Sequence, residues 1–183
     1  MKNILIINGH EYYENAKGQL NQTLTNRMVE KLGSIYSIKT TIVEHGYDIK
    51  EEQEKFNWAD VVIFQTPVYW FNYPGACKTY IDAVYEHGIF YRSSELYGTG
   101  GLLEGKQYML SVTWAAGEDV FSNHNQPFLE EKSVDEVLIA MHKTHQYVGM
   151  KPLKTLSNHS AYQPDIEKIL SQTDKHLKEV FSI

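Results

Sequence analysis

An uninterrupted apolar run, Ile4-Leu5-Ile6-Ile7, closed at once by Asn8-Gly9, constrains this chain more than any other stretch. A strand with water on one face alternates in polarity. A run of branched apolar side chains with no polar interruption has both faces covered, which points to a parallel strand between two helical layers. Val61-Val62-Ile63-Phe64, introduced by Asp60, repeats the pattern. Tyr36 to Val43 reads as a second strand, Tyr108 to Thr113 as the fourth and Leu153 to Leu156 as a weak fifth.

Helical periodicity fills the intervals. Leu20, Leu24, Met28 and Leu32 recur every four residues, and Gly33 stands where a left-handed helix cap is usual. Glu51 to Phe56 makes a short helix. Pro74 is placed as a first helical residue, ahead of an inner face of Cys77, Tyr80, Ile81 and Val84, with Lys78 and Asp82 paired outside and Gly88 as the stop. Ser133 and Glu136 form a capping box before Val134, Val137, Leu138 and Met141, and Gly149 ends that helix. Pro164 opens the last helix, with Ile166, Ile169, Leu170, Leu177 and Phe181 inward. Five strands alternating with five helices predict an α/β fold: a doubly wound five-stranded parallel sheet with helices on both faces, as a single domain over residues 1–183.

Composition narrows the function classes. Hydrophobic residues at 42% and charged ones at 22% are an ordinary globular balance. A net charge of -6 argues against nucleic acid or an anionic membrane as partner. No segment approaches the roughly 18 apolar residues of a membrane span, and the run after Met1-Lys2-Asn3 is too short for a signal-peptide core. The single cysteine, Cys77, excludes an internal disulfide and fits a reducing compartment, so a soluble cytoplasmic protein is expected.

In a doubly wound sheet, ligands bind outside the carboxyl ends of the strands. Three loops leave those ends, at 9–19, 65–73 and 113–132. The first runs into a helix N-terminus, where unpaired N–H groups favour an anion. Lys17 adds positive charge, Gly18 permits close backbone approach, and Asn21 and Thr23 add side-chain hydrogen bonding, so a phosphate fits; an ordinary capped helix is the plain alternative. Neither G-x-x-x-x-G-K-[ST] nor G-x-G-x-x-G is present. The second loop places Tyr69, Trp70 and Phe71 between Pro67 and Pro74, either as a surface for a flat ring or as packing at the sheet edge or a dimer contact. The third begins Thr113-Trp114-Ala115-Ala116-Gly117, small residues around one indole. A phosphate at one loop and a planar ring between the other two describe a flavin nucleotide.

Other constellations are weaker. His142 and His145 have a spacing that metals use but no matching carboxylate, so they read as packing or surface histidines and no metal is expected. G-x-S-x-G is absent, which leaves a serine hydrolase unsupported. Cys77 reads as a small buried thiol, and Asp82 as the partner of Lys78.

The motifs N-I-L-I-I-N-G, G-Q-L-N (Gly18 to Asn21), W-A-D-V-V-I, P-V-Y-W-F, K-T-Y-I-D, Y-G-T-G-G-L-L-E-G-K and L-S-V-T-W occur in this order. With H-K-T-H-Q-Y-V-G-M-K-P-L nearer the C-terminus, they resemble the flavodoxin-like NAD(P)H quinone reductases, in particular the bacterial branch called modulator of drug activity B. The resemblance runs almost end to end. It implies strand order 2-1-3-4-5, bound FAD, a homodimer with flavin near its interface, and two-electron reduction of quinones by NADPH. Carried over by motif, phosphate-side contacts fall on Ala16, Lys17, Gly18, Gln19, Leu20, Asn21, Gln22 and Thr23. The isoalloxazine loop falls on Pro67, Val68, Tyr69, Trp70 and Phe71, with a second ring-side segment at Thr113, Trp114, Ala115 and Ala116. Tyr97 is a further contact, from the Gly-rich loop or from the other subunit.

The mechanism implied is ping-pong. NADPH stacks on the ring, passes a hydride to N5 and leaves, and a quinone takes its place and departs as hydroquinone. No obligatory catalytic side chain is expected; backbone N–H groups near Val68 to Phe71 or Thr113 to Ala116 stabilise negative charge on the reduced ring. The rival readings are an FMN-dependent azoreductase or nitroreductase of the same fold and a non-enzymatic flavodoxin-type electron carrier.

Overall fold

The computed structural model describes residues 2–183. Strands β1 (Asn3–Asn8), β2 (Ser37–Ile42), β3 (Val61–Pro67) and β4 (Gln107–Thr113) are all parallel, in the order β2-β1-β3-β4. Helices α1 (Gln19–Gly33) and α6 (Ile166–Phe181) cover one face. On the other lie α2 (Ile49–Trp58), α3 (Gly75–Val84), α4 (Val134–Val137) and α5 (Ile139–Tyr147).

The apolar runs are buried on both faces because strand parity divides them between two cores. Ile4 and Ile6 of β1, with Val61 and Ile63 of β3, meet Met28 and Leu32 of α1 and Leu177 and Phe181 of α6. Leu5, Ile7, Val62 and Phe64 point the other way, onto Phe56, Cys77, Tyr80, Ile81 and Met141. Each fully buried Leu, Ile or Phe of these runs stabilises the fold by about 1.5–3 kcal/mol.

The edge beyond β4 departs from the expected fifth strand. The chain forms two short strands, β5 (Lys151–Pro152) and β6 (Leu156–Asn158), both parallel to β4, so the sheet has six strands. Tyr108 pairs with Pro152 and Ser111 with Leu156, so three steps along β4 meet four steps along the edge. That one extra residue breaks the ladder as a bulge does, and it moves the edge strand beyond Leu156 to end at Asn158.

Helix boundaries shift for local reasons. Pro74 is the residue before α3 rather than its first turn, and the helix ends at Val84, ahead of Gly88, which sits at φ 85° in the following turn. Asp165, not Pro164, caps α6, accepting from the Lys168 N–H. Gly33 is the last residue of α1 and is not left-handed. The Ser133–Glu136 capping box forms as expected, but the helix it starts is interrupted at Leu138.

Asp174 of α6 ties the two helices of the first face through Arg27 and, at 3.4 Å, Lys31 of α1. Arg27 of α1 donates from Nε and Nη2 to the two carboxylate oxygens of Asp174 of α6, at 2.8 and 2.6 Å. The guanidinium holds the Asp174 carboxyl below the usual carboxylate range. A carboxyl whose pKa is depressed by folding adds stability above its unfolded pKa of about 3.9 and loses it as pH falls through the folded value. Asp174→Asn is therefore expected to lower the denaturant midpoint at pH 7, with the difference from the parent closing below about pH 3.9. A difference that persists undiminished at pH 2 would contradict this.

Candidate active site at the carboxyl edge of the sheet

Strand order reverses between β1 and β3, and there the loops after the two strands diverge to opposite faces and leave a crevice. A cavity of about 760 Å³ opens at this point. Its polar end is the loop before α1 and the first turns of that helix: Ala16, Lys17, Gly18, Gln19, Leu20, Asn21 and Thr23, with His10, Glu14 and Asn15. Pro67, Val68 and Tyr69 form a second wall, and Thr113 and Ala115 a third. A fourth wall, Ala161, Tyr162 and Pro164 with Ile166 at the start of α6, comes from the segment that follows β6.

The polar end is made of backbone. Gly18 precedes α1 in the left-handed region, φ 76°, and provides no side-chain cap. Among the described residues, the N–H groups of Lys17, Gly18, Gln19, Leu20 and Asn21 donate to nothing within the protein. Orphan amides at the start of a 15-residue helix attract an anion through both hydrogen bonding and the helix dipole. The first turn carries no acidic residue, and the exposed Lys17 ammonium makes no ion pair among the described residues. A Cβ at Gly18 would lie 2.4 Å from Nδ1 of His10, so the two residues interlock. Burial lowers the His10 pKa and keeps the ring neutral; its Nε2 lies 2.9 Å from the Ala16 carbonyl oxygen, which can only accept, so the proton sits on Nε2.

The side chains expected to hydrogen-bond a phosphate are engaged elsewhere. Asn21 accepts from Gln65 Nε2 at 2.7 Å and reaches Thr113 Oγ1 at 3.2 Å, while Ser111 donates to Gln65 Oε1 at 2.6 Å. This buried network ties the start of α1 to β3 and β4 beneath the cavity. Thr23 donates its hydroxyl to the Gln19 carbonyl. Gln22 accepts from Asn8 and lines a smaller concavity of about 370 Å³ on the far side of Lys17 and Gly18, with Ile42, Glu44 and His45.

The aromatic loop is a tight hairpin turn. Tyr69 and Asn72 exchange N–H···O bonds of 2.9 and 3.1 Å, and the central residues Trp70 and Phe71 both have positive φ, 50° and 63°. Two-residue turns of this kind favour Asn-Gly. Bulky residues there cost on the order of 1–3 kcal/mol each. The turn sends Trp70 outward, 94% exposed, and lays Phe71 against Phe128 at 5.8 Å, so neither ring lines the cavity. Tyr69 does; its hydroxyl is buried without a partner among the described residues, and burial raises its pKa.

Trp114 is also placed differently. Strand parity continues one residue past β4, as the Trp114 N–H bonds the Asn158 carbonyl at 2.8 Å. Its indole therefore follows Tyr108, Leu110 and Val112 into the core, edge-on to Phe121 at 4.9 Å, and Ala116 lies outside the cavity lining. Tyr97 stands 93% exposed beside Tyr147, away from the cavity. The amides are narrowed too. Val68, Tyr69 and Trp114 donate internally, whereas Trp70, Phe71, Ala115 and Ala116 donate to nothing among the described residues.

Sequence reasoning missed His10 and the whole fourth wall. His10 was visible as the second residue after the Asn8 strand end. The fourth wall was hidden because the edge strand was placed to end at Leu156, which hid a strand-end loop at residues 159–165. His142 and His145 are interior: His142 lies between Tyr108 and Asp135, and His145 between Tyr73 and Tyr85. No group of three or more potential metal ligands occurs among the described residues, nor is any helix there long and apolar enough to cross a membrane.

Comparison with known proteins places this geometry. Residues 2–181 match the family described as flavodoxin-like fold. A NADPH:quinone oxidoreductase MdaB from Haemophilus influenzae is 38% identical over 191 residues, covering 98% of this chain and 99% of the relative. Among solved structures, an NAD(P)H:quinone oxidoreductase from Methanothermobacter marburgensis superposes with a TM-score of 0.74 at 15% identity, covering 95% of this chain and 96% of its own. An FMN-dependent NADH-azoreductase from Bacillus anthracis, in complex with FMN, gives 0.71 at 17% identity, covering 100% and 98%. At those identities the two structures share the fold.

Proposed function

This chain belongs to the flavodoxin-like fold family, and from that premise we propose that it is a flavin-dependent NADPH:quinone oxidoreductase. The observation that carries the reading is the row of free amides at Lys17 to Asn21, set at the polar end of a cavity whose other walls are largely apolar. A flavin nucleotide fits such a site at both ends: phosphate on the amides and Lys17, ring against Val68, Tyr69 and Ala115. FAD is preferred over FMN because the second concavity, past Lys17 and Gly18, offers room beyond the phosphate position. Residues 1–183 would act as one flavin-binding domain.

The chemistry a bound flavin supplies is acceptance of a hydride from NADPH and delivery of the electron pair to a quinone, which with two protons leaves as hydroquinone. The chain's part is binding and orientation. Gly18 lets the α1 amides approach an anion, and His10 supports that backbone from below. Tyr69, Pro67 and Val68 keep one wall apolar, so flat substrates are favoured, and the free N–H group of Ala115 is the donor available to negative charge. No side chain is assigned a proton transfer.

The near-complete exposure of Trp70 and Tyr97 supports a homodimer, since large apolar rings held in water are costly unless covered. Tyr97, remote from its own cavity, would then serve a partner's. The free thiol Cys77, buried and with its pKa pushed up to about 12, is consistent with a reducing compartment such as the cytoplasm.

The test is direct. The purified protein is expected to be yellow, or to become so with added flavin, and heat should release FAD by mass. Initial rates with NADPH and a quinone varied together should give parallel lines. A colourless protein that takes up no flavin sinks the reading, and converging lines would exclude a shared pocket.

A further inference from the structure

We infer that His145 and Tyr73 are positioning residues: their buried hydrogen bond holds the aromatic turn Tyr69–Asn72 in its left-handed conformation at the cavity wall. Two adjacent bulky residues with positive φ persist only where the surroundings over-determine them. Upstream, the turn is held by the Val68 N–H on the Thr113 carbonyl at 2.9 Å. Downstream, the chain runs directly into Tyr73, which is buried, with its ring 6.2 Å from Phe64 and its hydroxyl 2.5 Å from His145 Nε2.

His145 is built to be an immobile anchor. Its ring stacks on Phe64 of β3 at 4.1 Å and 22°, and its other nitrogen lies 2.8 Å from the Tyr85 hydroxyl, just past the end of α3. Burial pushes its pKa down to about 3, so the ring is neutral, with one donor and one acceptor nitrogen for two hydroxyls. Strand β3, the end of α3 and helix α5 thus converge on one imidazole, and Tyr73 transmits their position to the turn. The effect on flavin binding rests on the reading proposed above; the effect on the turn does not.

Two hydroxyls on one histidine give a matched control. Tyr73→Phe and Tyr85→Phe each remove one buried bond to His145, but only Tyr73 adjoins the turn. Both variants are expected to lose similar global stability in urea. Only Tyr73→Phe should speed hydrogen exchange of the Tyr69 and Asn72 amides, by about tenfold, the equivalent of one hydrogen bond. Flavin affinity, titrated on the same samples, should fall by about tenfold in Tyr73→Phe and stay at the parental value in Tyr85→Phe.

Equal exchange at Tyr69 and Asn72 in the two variants overturns the inference. Faster exchange in Tyr73→Phe alone, in a protein whose parent binds no flavin, upholds the positioning role and removes the flavin reading instead. Should Tyr73→Phe fail to fold, His145→Phe keeps the stacking on Phe64 while removing both bonds. It must show the same loosened turn, and a turn as protected as in the parent overturns the proposal.

Discussion

Gly18→Val is expected to destabilise the protein by about 2–4 kcal/mol and to weaken flavin binding by on the order of a hundredfold. Two independent costs combine. A β-branched residue at φ 76° is a genuine conformational outlier, and its Cβ would stand 2.4–2.7 Å from the His10 ring, where contact is prohibitive. His10 cannot swing aside freely, because it is buried and its Nε2 donates to the Ala16 carbonyl. Relief must come from the backbone, which moves the free amides of Gln19 and Leu20 away from the anion position. Gly18→Asn separates the two costs, since asparagine tolerates the left-handed region but keeps the clash. Gly18→Asn should cost less in a His10→Gly background than in the parent, since the ring it would meet is gone. Urea unfolding and flavin fluorescence titration measure both effects; parental stability and affinity in Gly18→Val would show that the interlock has no consequence.

Glu52→Ala is expected to be the most damaging single change away from the cavity, at about 3–5 kcal/mol. The carboxylate is 1% exposed, on the inward face of α2, and it gathers three donors: Thr41 Oγ1 at 2.8 Å, Tyr80 Oη at 2.6 Å and Lys55 Nζ at 2.5 Å. Removing it leaves an ammonium and two hydroxyls facing a void between β2, α2 and α3. Tyr80→Phe removes one donor only and should cost about 1 kcal/mol. Denaturant midpoints at neutral pH decide the matter. A Glu52→Ala loss no greater than that of Tyr80→Phe would mean the cluster is held by packing alone. The folded fraction of Glu52→Ala should bind flavin as the parent does, because neither Glu52 nor its partners line the cavity.

Much of the fold was legible because parallel strands must be apolar on both faces. Ile4–Ile7 and Val61–Phe64 could be read directly, and so could α1 from its four-residue repeat. The edge strand was less legible, since a one-residue bulge beside Pro152 leaves no periodic mark. In the site, Ala16 to Thr23, apart from Gln22, line the cavity, because a helix start presents its amides whatever the side chains do. Trp114 is the instructive miss. Counting parity from Tyr108 through Leu110 and Val112 would have turned its indole into the core, but it was read as part of a loop, where parity carries no weight.

The sequence by itself determined the layers, the parallel sheet and the edge at which the candidate site lies, because these follow from periodicity and chain direction. Only the tertiary structure decided which groups face the cavity. The Asn21 and Thr23 side chains turn to internal partners while their helix leaves its amides free, and Trp70 and Phe71 turn outward on a strained turn. Tyr73, the residue after that turn, meets a histidine 72 residues downstream. The reason is physical: a hydrogen-bonding side chain takes whichever partner folding brings nearest, and proximity between distant segments is not written in local pattern.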